Sequence, residues 1–338
     1  MEAPKVLVLC TVSTGLDAIA EVVRRGFKIM GIVGLHHEVA DRHKISGYID
    51  ISDFAYNYQI SHYYVKSYGL KSDEDKELLL SLDYNLVWVA GWQRLVPGWL
   101  ISKSPLGVLG GHGSPDGIHG GRGRSPQNWA LLLGAKRFDL ALFKISPGVD
   151  DGPIIMQRSF FYNESDDINI SYYKASIAMA EMICAVLERP GLLEEGTPQS
   201  KEAFYYPQRC PNDGFVDWHM GQKTITRHSR ALTDPYPGLK TKINDVVITI
   251  WECVEFDEEI VHEPGVICFC FSSGDFLVSC LDGRVLVCDW SADGSSWEPE
   301  VGLRLESLPF RQQMEQIVER HCQNHPDQPI SPRIQRHV

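Results

Sequence analysis

The sequence lacks the features that mark several common classes of protein. It has no internal repeat, and no apolar stretch approaches the ~18 residues that a membrane-spanning helix needs. No GxGxxG motif follows the first apolar strand, where the residues are LCTVSTGL, and no GxxxxGK[ST] phosphate loop occurs. The N-terminus shows neither the apolar region nor the cleavage site of a secretory signal. We therefore expect a cytoplasmic protein that does not use a membrane.

Positive charge is scarce as well. Lys and Arg number 32 against 44 Asp and Glu, which gives a formal net charge of −12 at pH 7. Such a chain is a poor partner for nucleic acid, because phosphate contacts along a polyanion need a concentration of positive charge. A local basic patch is still able to hold a small phosphorylated ligand.

The composition is otherwise that of an ordinary folded protein. With 338 residues, 43% of them hydrophobic, the chain is long enough for two domains and a core that needs no crosslinks. Its nine cysteines are odd in number, and several lie in apolar runs, which is typical of free thiols in a reducing compartment. No Cys and His spacing fits zinc, so we expect no metal.

In the first half of the chain, apolar strand patterns alternate with helix patterns. Strands at 5–10 and 29–33 flank a helix at 16–25, which is a βαβ unit. Further strands are indicated at 108–109 and 139–145. This alternation predicts an α/β fold with a mostly parallel, Rossmann-like sheet, in which ligands bind beyond the carboxyl ends of the strands.

The second half differs in composition. A helix pattern at 168–189 ends at Pro190 and Gly191, and short β-rich runs separated by turns fill 246–290. A last helix pattern is followed by a tail that looks loose. We expect one domain over 1–204, a linker helix with a small β domain over 205–310, and a C-terminal helix and tail over 311–338.

The segment from Gly110 to Pro126, GGHGSPDGIHGGRGRSP, is the strongest candidate for a functional site. It places His112 among glycines directly after an apolar strand, and glycine lets the backbone approach a ligand closely. Arg122 and Arg124 precede a helix that begins at Pro126, an arrangement that suits an anion. These residue types indicate a bound oxyanion or phosphate, with His112 available as a base.

Two other segments follow strands and supply candidate residues. Asp150 and Asp151 lie in PGVDDG, and the residues alone do not decide which of them is the acid or base. Trp92, Gln93 and Arg94 follow the strand VWVA at a place where a planar heteroaromatic ligand is able to stack.

Together these segments resemble the formyltransferase family that uses 10-formyltetrahydrofolate. The family pattern of NxHxS, an RG element, PxxWA and DxG is matched in order by GGHGS, RGRSPQNWA and VDDGPI, with a glycine in place of the Asn. LVWVAGWQRLVP is similar to the strand and loop that hold the pterin in the family. DGFVDW and RALTDPYPG resemble the entry to the C-terminal β domain of its tRNA-modifying and sugar-modifying members. The resemblance covers nearly the whole chain and implies a small, β-rich, OB-like second domain.

The resemblance also implies roles for individual residues. His112 matches the catalytic His, Asp150 the catalytic Asp, and Gly110 takes the place of the catalytic Asn, whose amide holds the formyl oxygen as it becomes an oxyanion. Asn128 and a backbone N–H of the glycine run are the candidates to replace that amide. The other expected contacts are Trp92, Gln93, Arg94, Leu95, Val96 and Val149 for the folate, and Ser114, Arg122, Arg124 and Asn128 for the substrate.

The implied reaction transfers a formyl group from 10-formyltetrahydrofolate to a primary amine without a metal. A nucleotide-linked amino sugar is the acceptor that fits best, because the chain is acidic and has a second domain. Two alternatives stay open: a folate-binding or nucleotide-sugar-binding homologue impaired in catalysis by Gly110, and a methionyl-tRNA formyltransferase. A homodimer is compatible with the sequence.

Overall fold

The computed structural model describes residues 3–45, 47–200, 202–260, 262–294 and 297–338. The chain folds into two compact units whose segments interleave along the sequence. Unit 1 comprises Met1–His119, Arg137–Phe160 and Tyr172–Glu202, and unit 2 comprises Gly120–Lys136, Phe161–Ser171 and Ala203–Val338. The domain boundaries expected from the sequence, at 204/205 and 310/311, stay a prediction.

Strands and helices alternate in the first half of the chain, and strands dominate residues 239–292. The strands are β1 (Val6–Leu9), β2 (Ile29–Leu35), β3 (His62–Val65), β4 (Leu86–Val89), β5 (Gly107–Ser114), β6 (Arg122–Gly123), β7 (Arg137–Lys144), β8 (Ile154–Phe161), β9 (Tyr205–Tyr206), β10 (Leu239–Ile243), β11 (Val246–Asp257), β12 (Ile267–Cys270), β13 (Phe276–Ser279) and β14 (Arg284–Ala292). The helices are α1 (Ser13–Arg24), α2 (His37–His43), α3 (Ser52–Asn57), α4 (Asp73–Ser81), α5 (Gly98–Lys103), α6 (Gly117–Gly120), α7 (Pro126–Leu132), α8 (Ile168–Glu188), α9 (Gln222–Leu232), α10 (Phe310–Asn324) and α11 (Pro332–Gln335).

Unit 1 is built on a seven-stranded sheet with the order β3-β2-β1-β4-β5-β7-β8. The strands from β3 to β5 in that order pair in parallel, whereas β7 is antiparallel to β5. All four residues of β1 and the first three residues of β4 are buried, so both faces of these strands are covered. Burial on both faces of the sheet explains why these strands are continuous apolar runs. The prediction of an α/β fold with a mostly parallel, Rossmann-like sheet is confirmed.

The composition of the glycine-rich segment predicted a single loop, but the structure divides the segment among strands and helices. The strand expected to end at Leu109 continues to Ser114. A Cβ atom on Gly113 would lie only 2.3 Å from the carbonyl oxygen of Asp139, so glycine allows the close approach of β5 and β7. Helix α6, strand β6 and helix α7 occupy most of the remaining residues up to Leu132. Pro126 begins α7 as predicted, although Ser125 makes no side-chain cap.

The reversed direction of β7 determines where the next loop begins. Leu109 pairs with Trp88 of β4 on one side and with Lys144, the last residue of β7, on the other. Beyond Leu109, β5 extends past the paired part of β4 and is accompanied only by β7 within the described ladders. The loop 145–153 therefore leaves the sheet at the level where the parallel strands end.

Unit 2 contains a five-stranded antiparallel sheet with the order β10-β11-β14-β13-β12. Helix α9 packs on β11 and buries Ile225 and Leu232. The two short strands β6 and β9 pair in parallel in the same unit. The prediction of a small β-rich region in the second half of the chain is confirmed.

The C-terminal tail is packed, whereas its sequence indicated a loose segment. The backbone N–H of Tyr205 donates to Pro329 O at 2.8 Å, and that of Ser331 donates to Tyr205 O at 3.0 Å. Ile330 and Ile334 are 5% and 0% exposed. The signals that were overlooked are these two isoleucines and the Ser-Pro pair that begins α11, where the Ser331 side chain caps the helix.

Helix α8 corrects the expectation that no apolar stretch of the chain is long enough to span a membrane. By length and composition its 21 residues suffice to cross a membrane, and 44% of its most apolar window is buried inside the protein. The core helix of a soluble protein meets the same criterion, so α8 is weak evidence for a membrane span.

Candidate active site

The candidate site is built from His112 and Asp150, both of which lie in unit 1. His112 belongs to the part of β5 that extends beyond Leu109, and Asp150 belongs to the loop 145–153. The Nδ1 atom of His112 lies 3.7 Å from Oδ2 of Asp150, and the two side chains are 12% and 29% exposed. A carboxylate at this distance is placed to orient the imidazole ring.

The fold of the loop 145–153 turns Asp150 toward β5. Asp150 has a φ of 48°, in the left-handed region that Asp tolerates better than most residues. Asp151 accepts a hydrogen bond from the hydroxyl of Ser146. A Cβ on Gly152 would lie 1.7 Å from the carbonyl oxygen of Lys144, so this turn requires glycine. The carboxylate that the structure shows in contact with His112 is therefore that of Asp150.

The space beside Gly110 is filled by neighbouring side chains. A Cβ atom there would lie 3.0 Å from Cδ1 and Cγ1 of Ile145 and 3.4 Å from Cζ of Phe143. An Asn at this position would fit only if Ile145 moved, because protein interiors tolerate little overpacking. The neighbours of Gly110 are thus adapted to glycine.

The first three residues predicted at the folate are engaged with Tyr68. Trp92 is 6% exposed, and its ring meets that of Tyr68 edge-on at 5.1 Å. The backbone N–H of Gln93 donates to the Tyr68 hydroxyl at 3.0 Å. The Arg94 guanidinium lies 4.9 Å from the centre of the same ring. Trp92 is therefore mainly a core residue of unit 1, and its contact with a folate stays a prediction.

The other three predicted folate residues differ in their exposure. Val96 is 8% exposed, whereas Leu95 is 65% and Val149 is 44% exposed. Leu95 and Val149 accordingly present apolar surface to the solvent, and their contact with a folate stays a prediction.

The residues predicted at the substrate fall in both units. Ser114, in unit 1, is fully buried, and its hydroxyl donates to Gly117 O at 2.7 Å, which shapes the turn after β5. Arg122, Arg124 and Asn128 are in unit 2. Arg122 is 6% exposed within β6, while Arg124 is exposed.

Asn128 is held inside unit 2. Its side chain is fully buried, and its amide nitrogen donates to the carbonyl oxygen of Ala231 at 2.5 Å. This bond engages the amide that was a candidate to replace the Asn of the family pattern.

Two residues at the site were not predicted. Ile145 borders Gly110, and nothing in the sequence marks it as different from other apolar residues at a strand end. Gly152 carries a recognisable signal, since a glycine after two aspartates is typical of a tight turn. Among the described residues, no group of three or more His, Cys, Asp or Glu side chains is arranged to hold a metal ion.

Two family models match the chain, and they follow one another along the sequence. The model described as "Formyl transferase" matches residues 8–185, which is more than half of the chain and includes His112 and Asp150. The chain belongs to the formyl transferase family. The model described as "Formyl transferase, C-terminal domain" matches residues 210–296 of this formyl transferase. The resemblance found in the motifs is confirmed.

Individual relatives of this formyl transferase have different substrates in their names. It is 25% identical to the methionyl-tRNA formyltransferase of Pelobacter propionicus over 236 residues, which cover 69% of this chain and 70% of the relative. HypX from Aquifex aeolicus, solved in complex with tetrahydrofolic acid, superposes with a TM-score of 0.59 and 18% identity. That match covers 94% of this chain and 48% of HypX, so this chain spans about half the length of HypX.

A sugar-modifying structure has a similar fold. The N-formyltransferase from Helicobacter canadensis, in complex with folinic acid and dTDP-3-aminofucose, gives a TM-score of 0.57 at 14% identity, with 84% of this chain and 98% of that chain covered. At such identities the structural likeness shows the fold alone.

Proposed function

We propose that this protein transfers a formyl group from 10-formyltetrahydrofolate to the primary amine of a nucleotide-linked amino sugar. The observation that carries the proposal is the 3.7 Å approach of Asp150 to His112, at the edge where the parallel strands of a formyl transferase domain end. Ligands of such sheets bind at this edge.

In the proposed reaction the amine nitrogen attacks the formyl carbon, and the formyl oxygen gains negative charge in a tetrahedral intermediate. His112 stabilises this charge, and Asp150 holds the imidazole in position and assists removal of the amine proton. The intermediate collapses when the bond from the formyl carbon to the folate nitrogen breaks, and that nitrogen takes up a proton. Positioning the two reactants supplies much of the acceleration.

The exposed apolar side chains fit a folate as the formyl donor. Leu95 is 65% and Val149 is 44% exposed, and both lie in loops that follow strands of the unit 1 sheet. The folate supplies the activated formyl carbon, while these side chains cover its ring and exclude water. The complexes of HypX with tetrahydrofolic acid and of the Helicobacter canadensis enzyme with folinic acid support this donor class.

A nucleotide-linked amino sugar is the proposed acceptor because the chain is acidic and because a protein of similar fold binds such a sugar. The chain carries a formal net charge of −12, which opposes a large polyanion. The Helicobacter canadensis relative binds dTDP-3-aminofucose, and Arg124 is an exposed cation in the segment that matches the family motif.

Two alternatives have an observation in their favour. The identity to a methionyl-tRNA formyltransferase favours initiator tRNA as the acceptor. The filled space beside Gly110 favours a homologue that binds folate and nucleotide sugar with little catalysis. Retention on charged initiator tRNA at moderate salt tests the first, and binding without formyl transfer identifies the second.

The proposal is tested by single-turnover assays with 10-formyltetrahydrofolate and a panel of nucleotide-linked amino sugars. We expect transfer to at least one sugar, and a loss of about 10²- to 10⁴-fold in His112→Ala and Asp150→Asn, with folate binding retained. Asp151→Asn is the matched control, because this neighbouring carboxylate bonds to Ser146, and it should keep nearly full activity. Transfer at the normal rate by His112→Ala would disprove the catalytic assignment.

A further inference from the structure

Arg209 of unit 2 is held in one orientation with part of its donor set unsatisfied. Its guanidinium carbon lies 5.1 Å from the centre of the Trp129 ring, and Nη2 donates to the carbonyl oxygen of Asp213. The Nη1 atom is shielded from water and has no hydrogen-bond partner in the part of the chain that the structure describes. A buried N–H group of an arginine is costly to leave unmatched.

The positive charge of Arg209 is not balanced by its nearest acid. Asp213 is 8% exposed, and its carboxylate accepts hydrogen bonds from Nη2 of Arg320 and from the backbone N–H of Cys210. The carboxylate of Asp213 thus pairs with Arg320, whereas Arg209 reaches only the backbone carbonyl of Asp213, so the charge of Arg209 is left without this partner. Burial is the main cause that lowers the pKa of Arg209 to about 10. A guanidinium at that pKa is still charged at neutral pH, so the excess charge persists.

A second arginine, Arg124, follows strand β6 of the parallel pair formed by β6 and β9. Arg122 pairs with Tyr205 and Gly123 with Tyr206, and the backbone N–H of Arg124 donates to Tyr206 O at 3.4 Å. Because β6 and β9 are parallel, Arg124 and the segment that leads from β9 to Arg209 emerge at the same end of the strand pair. Arg124 is exposed, so its guanidinium is accessible from solvent.

We propose that Arg209 binds a phosphate group of a small phosphorylated molecule in unit 2, with Arg124 supplying a second positive charge. Arginine matches phosphate with two parallel N–H bonds, and an anion supplies the negative charge that Arg209 lacks while Asp213 pairs with Arg320. The formal net charge of −12 favours a compact anion over a nucleic acid. The proposal deepens the proposed function, because Arg124 is also the exposed cation assigned there to the nucleotide sugar; the two are tested apart, because phosphate binding is measured without folate.

Calorimetric titration of the full-length protein with inorganic pyrophosphate at low salt tests the proposal. Arg209→Gln should weaken binding about 10- to 100-fold, the range expected for loss of a charge-assisted hydrogen bond. Asp213→Asn should tighten it, because the competing carboxylate is removed while the side-chain shape is kept. Arg311→Gln is the control, since Arg311 is an exposed arginine of α10 paired with Glu315, and it should bind like the unaltered protein.

Three results would overturn the proposal. The first is pyrophosphate affinity in Arg209→Gln within twofold of the unaltered protein at an unchanged melting temperature. The second is an Asp213→Asn variant that binds no more tightly, and this result decides the question alone if Arg209→Gln fails to fold. The third is an RNA strand of about 20 nucleotides that binds through Arg209 where pyrophosphate does not, which would replace the small ligand with a polyanion.

Discussion

The packing beside Gly110 predicts that an Asn at this position is destabilising unless Ile145 is shortened. A Cβ at Gly110 would meet two carbon atoms of Ile145 at 3.0 Å, and the amide would add further atoms in the same space. Overpacking of this kind costs about 1 to 3 kcal/mol. We therefore expect Gly110→Asn to lower the free energy of unfolding by about 2 kcal/mol.

The double variant isolates this contact. Ile145→Ala alone should cost about 1 to 2 kcal/mol, at the low end for isoleucine because Ile145 is only partly buried. In the presence of Gly110→Asn the shortened side chain makes room for the amide. The double variant should thus be about 1 to 2 kcal/mol more stable than the sum of the two single effects.

Urea denaturation, followed by the fluorescence of the eight tryptophans, measures the free energy of unfolding of the unaltered protein, the two single variants and the double variant. Gly98→Asn is the matched control, because a Cβ there would meet nothing within 4 Å, and its effect should add to that of Ile145→Ala. Strict additivity of Gly110→Asn and Ile145→Ala would refute the idea that Ile145 excludes the Asn. Under the proposed function, the double variant should also transfer formyl groups faster than Ile145→Ala, since one oxyanion donor is worth about 10²- to 10³-fold in rate.

Two further predictions concern the active-site loop and the response of stability to pH. Gly152→Ala should move Asp150 and abolish formyl transfer, because the added Cβ would lie 1.7 Å from the carbonyl oxygen of Lys144. Gly191→Ala is the control and should retain activity, because a Cβ there would meet nothing within 4 Å. Equal rates of formyl transfer by the two variants would contradict this prediction. His228 is 5% exposed, and burial, followed by the charges of Arg227, Arg209 and His337, lowers its pKa to about 3. Below pH 6.5 the imidazole of His228 therefore binds a proton in the unfolded chain but stays neutral in the folded protein. The free energy of unfolding consequently decreases as the pH falls from about 6.5 toward 3, by about 2 kcal/mol at pH 5. Urea midpoints of His228→Asn should fall less steeply over this window than those of the unaltered protein, and parallel slopes would show that another group is responsible.

Much of the fold was predictable from the sequence because its signals are local. The continuous apolar runs of β1 and β4 and the helical spacing of α1 indicate a buried parallel sheet without any knowledge of tertiary contacts. The extension of β5 to Ser114 was not predictable in this way. Glycines such as Gly113 weaken a strand pattern, and here the glycine is present because β7 passes within contact distance.

The site shows the same division between local and distant causes. His112 and Asp150 were predicted because His112 comes directly after an apolar run, Asp150 follows a strand pattern, and both lie in motifs that resemble the family pattern. The role of Ile145 depends on which side chain fills the space beside Gly110, and that is a property of packing between two segments. Arg209 was not predicted, because its unbalanced charge is evident only from the ion pair that Arg320 forms with the carboxylate of Asp213.

The interleaving of the two units has a consequence for the order in which the protein is made. Residues 120–136 and 161–171 belong to unit 2 but leave the ribosome before residues 203–338, which form the rest of it. Trp129, fully buried in the finished protein, bonds to Pro207 O and stacks near Tyr206. Until those residues are synthesised, Trp129 lacks both contacts, so we expect the nascent chain to expose more apolar surface at this helix than the folded protein does.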